Sequence, residues 1–266
     1  MRYPLTWAVT TGIVLGTTAG CSATPTPPVI STCGRPSQSA HSPVTGTATG
    51  CTSLEFTAAG TYTVTVKFAA PDAEASIDYT LVGAGGGGGR GPGPGGGGSA
   101  VGPSNIGGGG GGGGGAGTTI SSTGTRLPTN TRPVSLTIVV GAGGNGGTGG
   151  GGPAMPGAKG HDGAATTLNG DGLRVTAAGG SGGTGGQGGA VGARGGKGGP
   201  GDPPGADGHR GSPGIAGLPG AGGVAAHGSG GAGGAGGAQP GGAHNGIPGH
   251  IGYAVLTIRG AAAMTS

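Results

Sequence analysis

Long glycine tracts limit what this chain can fold into more than any other feature of its sequence. They occupy residues 83–115, 141–163, 179–223 and 228–249, and the first contains an unbroken run of glycine at 107–115. Glycine costs each helical position up to about 1 kcal/mol relative to alanine, so no useful helix is predicted in the mature chain. Tracts without side chains cannot supply a conventional apolar core either, and aromatic residues make up only 3% of the chain.

The tracts can still be ordered if their backbones bond to one another. A segment of polyproline-II type turns every three residues and has no internal hydrogen bonds, so neighbouring segments can satisfy its N–H and C=O groups. The doublets in GGSGGTGGQGG and GGAGGAGG fit this turn and predict that one outer edge carries Ser181, Thr184, Gln187, Ala232 and Ala235. Disorder is the alternative, since a chain this rich in glycine and proline is typical of low complexity.

Short runs between the tracts alternate apolar and polar residues, which predicts half-buried β-strands. The predicted strands are Thr61–Phe68, Ala75–Leu81, Val134–Val140 and Tyr253–Arg259. A hairpin is predicted from Thr166–Leu168 to Leu173–Thr176, because the intervening Asn-Gly-Asp-Gly suits a turn with positive φ. The predicted core is Tyr62, Val64, Val66, Ile77, Leu81, Leu136, Ile138, Leu256 and Ile258.

Residues 1–20 have the layout of a secretory signal peptide. Arg2 precedes a moderately apolar stretch from Leu5 to Leu15, which is too short to span a membrane, and small residues follow it. The small residues directly before Cys21 resemble the lipobox of bacterial lipoproteins. This resemblance implies that Cys21 receives a diacylglycerol and anchors the exported protein at the outer face of the membrane. Without that anchor, the same signal predicts a secreted protein.

Residues 21–50 are predicted to form a linker rich in proline, threonine and serine. Cys33 and Cys51 flank its second half, and an even pair of cysteines outside the membrane predicts a disulfide. Closing a loop of this size stabilises a fold by about 3 kcal/mol in the chain-entropy model. Two free thiols are the alternative, and no Cys/His spacing typical of a zinc site is present.

Four segments carry a resemblance to a known family. YTLVGAGGGGG (79–89), LTIVVGAGGNGGTGG (136–150), GAATTLNGDGLRVTAAGGSGG (163–183) and GYAVLTIRG (252–260) follow one another as in bacterial and phage glycine-rich domains. The anaplastic lymphoma kinase receptor family carries a related domain. The resemblance covers residues 51–260, leaving 261–266 as a tail. It implies an all-β fold, with a β-sandwich or jelly-roll-like root whose loops extend into a polyglycine-II helix bundle.

No catalytic, cofactor-binding or metal-binding residues are predicted, so we expect a protein that is not an enzyme and has no cofactor. GxGxxG recurs because of composition, and none of its copies leads into the helix that a dinucleotide site requires. The six histidines have no recurring ligand spacing, and nothing pairs two carboxylates for acid–base work. Scattered basic residues without aromatic neighbours disfavour nucleic-acid binding. The glycine triplets at 205–220 are too few for a collagen helix.

The leading hypothesis is an exported, lipid-anchored surface protein that displays loops on a rigid glycine-rich scaffold, for adhesion to a surface protein or a glycan. The candidate loop tips are Pro103–Ile106, Thr118–Pro133, Met155-Pro156 and Asp202–Pro204, and the candidate recognition residues are Ser104, Asn105, Ile106, Arg126, Asn130 and Arg132. One alternative is ice or ordered-water binding, because GGSGGTGGQGG and GARGGKGGPG resemble small glycine-rich antifreeze proteins. The other alternative is an inert cell-wall spacer with disordered tracts.

Overall fold

A computed structural model shows an all-β protein, with strands and no helix in the part of the chain that it describes. The described residues are 29–32, 38–39, 51–66, 75–92, 108–127, 134–148, 155–188, 194–210, 217–236 and 244–260. Their strands are β1 (Val29–Thr32), β2 (Gln38–Ser39), β3 (Cys51–Phe56), β4 (Gly60–Val66), β5 (Ala75–Val82), β6 (Thr119–Arg126), β7 (Val134–Val140), β8 (Thr166–Gly170), β9 (Leu173–Ala177) and β10 (Tyr253–Gly260).

The strands form two antiparallel sheets that share one core. The six-stranded sheet has the order β2-β1-β3-β10-β5-β6, and the four-stranded sheet has the order β4-β7-β8-β9. Alternate side chains of both sheets are buried together, among them Phe56, Leu136 and Leu256. This arrangement is consistent with a β-sandwich, and we call the two sheets the sandwich.

Period-two alternation predicted four of these strands correctly, and the Asn-Gly-Asp-Gly turn predicted the two strands of the hairpin. The predicted strands correspond to β4, β5, β7, β8, β9 and β10, and β7 has the predicted bounds. Every residue of the predicted core is buried in the sandwich. The β8–β9 turn also adopts the predicted backbone, with φ of 41° at Asp171 and 84° at Gly172. The Asp171 carboxylate accepts a hydrogen bond from the Ser135 N–H of β7, which fixes the turn against its neighbouring strand.

The structure corrects two sequence predictions about the boundaries of the sandwich. β1 and β2 lie inside residues 21–50, which were predicted to be a linker, and β1 pairs with β3 from Val29 onward. β6 lies inside Thr118–Pro133, which was predicted to be a loop tip. Its residues are mostly polar because β6 is an edge strand with one partner, β5, so apolar alternation did not reveal it.

A bulge in β6 is fixed by a carboxylate of β5. The register between the two strands shifts opposite Asp78, where Gly124 has a φ of 66°. The Gly124 N–H donates to Asp78 Oδ1 at 2.7 Å, and Arg259 Nε donates to Asp78 Oδ2 at 2.6 Å. The hydrogen bond from Gly124, followed by that from Arg259, lowers the pKa of Asp78.

Candidate functional site

Extended glycine-rich segments continue from one end of the sandwich. Six of them are joined directly to strands: 83–91 follows β5, 108–118 precedes β6, 141–148 follows β7, 155–165 precedes β8, 178–188 follows β9 and 244–252 precedes β10. Four further segments, 194–202, 203–210, 217–225 and 228–236, run alongside them. We call these ten segments the glycine bundle.

Segment 83–91 is bonded to six neighbours in the bundle. Its consecutive residues Gly86, Gly87 and Gly88 donate to three different segments, and the same three partners recur at every third residue. Its carbonyl oxygens accept from three other segments. The N–H groups of 83–91 donate to 108–118, 155–165 and 244–252. Its carbonyl oxygens accept from the N–H groups of 141–148, 178–188 and 228–236.

Segment 108–118 is the second centre of the bundle. It donates to 178–188, 203–210 and 228–236, and it accepts from 83–91, 194–202 and 217–225. Six bonded neighbours around each of two adjacent segments define a hexagonal array. The two centres therefore share a middle layer with 141–148 and 203–210, and three segments lie on each side of that layer.

Glycine at the centres is required by the close approach of neighbouring backbones. A Cβ atom built on Gly88 would overlap the carbonyl oxygen of Ala232, and one built on Gly112 would overlap that of Lys197. In outer segments such as 178–188 and 228–236, two positions of each turn are blocked in the same way, while the third carries a side chain. In 155–165 and 244–252 only one position of each turn is glycine, and the other two carry side chains.

One outer layer is polar. It consists of segments 155–165, 178–188 and 194–202, and we call it the polar layer. Its outward side chains include Lys159, Asp162, Ser181, Thr184, Gln187, Arg194 and Lys197.

In the polar layer, side-chain oxygens accept hydrogen bonds from backbone N–H groups of neighbouring segments. Asp162 Oδ1 accepts from the Gly182 N–H at 2.8 Å and from Lys159 Nζ at 3.2 Å. The hydrogen bond from Gly182, and then the partnership with Lys159, lowers the pKa of Asp162. The Lys197 N–H donates to Thr184 Oγ1 at 2.6 Å. These contacts join the three segments across the layer.

The opposite outer layer is apolar. It consists of segments 217–225, 228–236 and 244–252, and we call it the apolar layer. Leu218 is 65% exposed, Val224 80% and Ile247 56%, although all three are large aliphatic residues. The middle segment contributes Ala232 and Ala235, and Ile247 lies beside Ala232, to whose carbonyl oxygen its N–H donates.

A cluster of three side chains connects the apolar layer to the sandwich. His227, between segments 217–225 and 228–236, stacks on the ring of Tyr253 with centroids 3.8 Å apart. The Tyr253 hydroxyl donates to Glu55 Oε1 at 3.1 Å. Burial, followed by the charge of Glu55, raises the pKa of Tyr253 to about 12, so the phenol keeps its proton and remains a donor. We call this cluster the waist.

Most of the predicted recognition residues lie outside the described residues. These are Ser104, Asn105, Ile106, Asn130 and Arg132, as well as the predicted lipidation site Cys21. Arg126 is among the described residues, and its prediction as part of a loop tip is corrected. It is the last residue of β6 and pairs with Ser76. Pairing of the edge strand β6 with β5 fixes the Arg126 backbone, while the Arg126 side chain remains exposed.

The two predicted disulfide cysteines are only partly described. Cys51 begins β3 and is disulfide-bonded. Cys33, its predicted partner, lies outside the described residues.

Two of the predicted tips are described, at opposite ends of the bundle. Met155-Pro156 begins segment 155–165 at the end remote from the sandwich, whereas Asp202–Pro204 lies at the sandwich end. The Asp202 N–H donates to the Ala116 carbonyl oxygen, and the Ala116 N–H donates to that of Pro203, only three residues before β6. This turn is therefore not a distal tip, which corrects the prediction.

The side chains predicted to share one outer edge are also separated. Ser181, Thr184 and Gln187 are in the polar layer, and Ala232 and Ala235 are in the apolar layer. The doublets have the same period of three residues as the hydrogen bonds between segments, but they held no information on which neighbours each segment selects.

Among the described residues, no group of three or more His, Cys, Asp or Glu side chains is placed to hold a metal ion. No helix in that part of the chain is both long and apolar enough to cross a membrane. No protein-family model matches this chain, and no curated protein matches it either.

Proposed function

We propose that this chain is an exported, lipid-anchored and non-enzymatic surface protein that displays loops on a rigid polyglycine-II bundle. The observation that carries the proposal is the bonding of segments 83–91 and 108–118, each to six neighbours. In each turn of a central segment, three N–H groups donate to other segments and three carbonyl oxygens accept from others. The central backbones therefore cannot bend without breaking bonds to several segments. Such a bundle is a scaffold.

The connections at the remote end of the bundle are the proposed recognition loops. Segments 83–91 and 108–118 run antiparallel, as do the other pairs that lead away from the sandwich and return to it. Their connections therefore fall at the same end, and loops held on a rigid scaffold are the usual carriers of recognition. The connection containing Ser104–Ile106 is our first candidate for contact with a surface protein or glycan.

Export is supported by the signal-like residues 1–20 and by the disulfide bond of Cys51, since disulfides persist mainly in oxidising compartments. Anchoring is tested by labelling cells with a radioactive fatty acid. We expect label in the wild type and in Ser22→Ala, and none in Cys21→Ala. Label retained by Cys21→Ala would contradict the anchor.

Recognition is tested by replacing Ser104, Asn105 and Ile106 together with alanine. We expect attachment to the ligand-bearing surface to be lost while the melting temperature is unchanged. The matched control is Gln187→Ala, which removes one exposed side chain from the polar layer and leaves the loops intact. Attachment that survives the triple replacement would overturn the assignment of this loop.

Amide hydrogen exchange separates the scaffold from an inert spacer with disordered tracts. An ordered bundle protects the amides of Gly110–Gly114, whose N–H groups are all bonded to other segments. Exchange of these amides at the rate of an unfolded peptide would exclude the rigid scaffold and favour the spacer.

Ice or ordered-water binding is a second candidate function. The observation that favours it is the three-segment outer layer, in which side chains repeat every third residue, or about 9.3 Å along a polyproline-II-type segment. The charged side chains of Lys159, Asp162, Arg194 and Lys197 in the polar layer disfavour it. Thermal hysteresis of the purified mature chain decides this question, because an inert solute shows none.

A further inference from the structure

The two outer layers give the glycine bundle one polar face and one apolar face. Four of the five exposed large apolar side chains in the described part of the chain, Leu218, Val224, Ile247 and Ile251, are on the outer segments of the apolar layer. The polar layer carries Lys159, Asp162, Arg194 and Lys197 instead. Exposed apolar surface concentrated on one side of a protein is typical of a membrane or protein contact.

The outward positions of the apolar layer contain no carboxylate. From the sandwich end they form three successive rows, which are His250, Ser229 and Val224, then Ile247, Ala232 and Ala221, then His244, Ala235 and Leu218. The rows follow from the bonds His250 to Ser229, Ile247 to Ala232 and His244 to Ala235. Six of these nine side chains are aliphatic, and the other three are two imidazoles and a serine hydroxyl. A surface of this kind without acids suits the interface of a bilayer, where anionic headgroups repel carboxylates.

The chain reaches the sandwich close to this layer. Val29, the first residue of β1, pairs with Glu55. Glu55 accepts the hydrogen bond of Tyr253, and Tyr253 stacks on His227 of the apolar layer. The proposed membrane anchor therefore leads to the waist of the molecule, beside the apolar layer, and not to the far end of the sandwich.

The tether is also short. Seven residues separate Cys21 from Val29 in the sequence, and the eight Cα–Cα steps between the two span at most about 29 Å when fully extended. A lipid on Cys21 thus holds the waist near the headgroups, where the adjacent layer meets the bilayer before any other part of the bundle.

We propose that the apolar layer rests on the surface of the lipid bilayer into which the lipid on Cys21 inserts. This inference depends on the proposed anchor. It orients the protein with the bundle axis along the membrane, the polar layer toward the surroundings and the remote loops directed sideways. The occupant is the membrane interface, because the anchor emerges beside this layer and brings the two together.

The test uses tryptophan as a depth probe, because the only tryptophan of the chain is Trp7 in the predicted signal. Ile247→Trp places a probe in the apolar layer, and Thr184→Trp places a matched probe in the polar layer. The mature chain of each variant is coupled through the Cys21 thiol to a maleimide lipid and inserted into phosphatidylcholine vesicles containing brominated lipid. Coupling the lipid chemically makes this result independent of whether cells acylate Cys21.

We expect the bromine atoms to quench Ile247→Trp and shift its emission to the blue, and to leave Thr184→Trp unchanged. An interfacial group lies about 5–10 Å deep at the headgroup–acyl boundary, within reach of such quenchers. Adding Leu218→Ser and Val224→Ser to Ile247→Trp should remove the quenching, while circular dichroism shows that the variant remains folded.

Equal quenching of the two probes, or quenching of neither, would overturn the orientation. Loss of quenching at higher protein density, with a dimer seen in sedimentation, would instead assign the apolar layer to a second copy of the chain and also refute the proposal. Failure of fatty-acid labelling in cells, with selective quenching of the coupled protein, would refute the anchor alone.

Discussion

The sandwich and the glycine bundle are stabilised in opposite ways, although the chain passes directly from one to the other. In the sandwich, side chains such as Leu136, Ile138 and Leu256 are completely buried, and their removal from water favours folding. In the bundle, the interior contains almost no side chains, and backbone N–H and C=O groups bond between segments. One region requires large residues inside, and the other excludes them.

This difference determines which substitutions each region tolerates. A strand of the sandwich hides every second residue, so half of its positions are open to change. An outer segment of the bundle leaves one or two residues of each turn open, whereas the two central segments are glycine except at Ala84, Arg90, Ala116 and Thr118. The following predictions test this contrast, beginning with the largest effect.

The largest effect is expected from adding one methyl group inside the bundle. A Cβ on Gly233 would overlap the carbonyl oxygen of Gly111, so Gly233→Ala should separate two segments and destabilise the protein by about 4 kcal/mol or more. The adjacent Ala232→Val adds more volume at an outward position and should stay within about 0.5 kcal/mol of wild type. Urea unfolding of both variants measures the difference, and equal stabilities would refute the close packing.

A slightly smaller effect is expected from removing side-chain atoms inside the sandwich. Leu136→Ala leaves a cavity at a completely buried position and should cost about 3–4 kcal/mol. Thr137→Ala, on the outer face of the same strand, is the matched control. Because β7 continues into segment 141–148, hydrogen exchange of the bundle should also accelerate in Leu136→Ala. Unchanged exchange there would show that the two regions unfold independently.

The disulfide is expected to stabilise the start of the six-stranded sheet. Cys51→Ser should cost about 3 kcal/mol, as estimated for a loop of this length. If Cys33 is the partner, Cys33→Ser and the double variant should melt at the same temperature as Cys51→Ser. A Cys33→Ser variant as stable as wild type would exclude this pairing.

The smallest effects are expected from two of the carboxylates that accept backbone N–H groups, Asp78 in the sandwich and Asp162 in the bundle. The folded protein lowers both pKa values, so their stabilisation is present above the unfolded value and is lost as the pH falls through the folded one. Asp78→Asn and Asp162→Asn should each lose less than about 1 kcal/mol at pH 7, as is typical of exposed charged pairs.

The same two variants should match wild type in acid below the lowered pKa values of Asp78 and Asp162, where the carboxylates of the wild type are protonated as well. Urea midpoints at both pH values measure this convergence. A difference that persists in acid would assign the loss to packing and not to charge.

The sequence predicted much of the sandwich because its strands combine buried and exposed positions in regular alternation. Val134–Val140 is the clearest case, since each second residue is apolar and buried. β3 has the same alternation, with Leu54 and Phe56 buried. This strand was not predicted, and its residues were assigned only to the start of the domain. β6 had no such signal, because a polar edge strand is held by backbone pairing to its neighbour.

The arrangement of the bundle was far less predictable. Glycine doublets have the three-residue period at which the hydrogen bonds recur, yet Gly86, Gly87 and Gly88 are identical in sequence and bond to three different segments. Their partners depend on where each segment leaves the sandwich, which is a property of the whole fold. For this reason the apolar layer, assembled from segments distant in the sequence, was not foreseen.

The three-residue turn also restricts how such a chain can change in length. Deleting one residue from segment 228–236 would rotate every following position by a third of a turn, directing Ala232 and Ala235 into a neighbouring backbone. Deleting or inserting three residues would preserve the orientation of all side chains and alter only the height of the column. Tracts of this kind should therefore gain and lose sequence in steps of three codons.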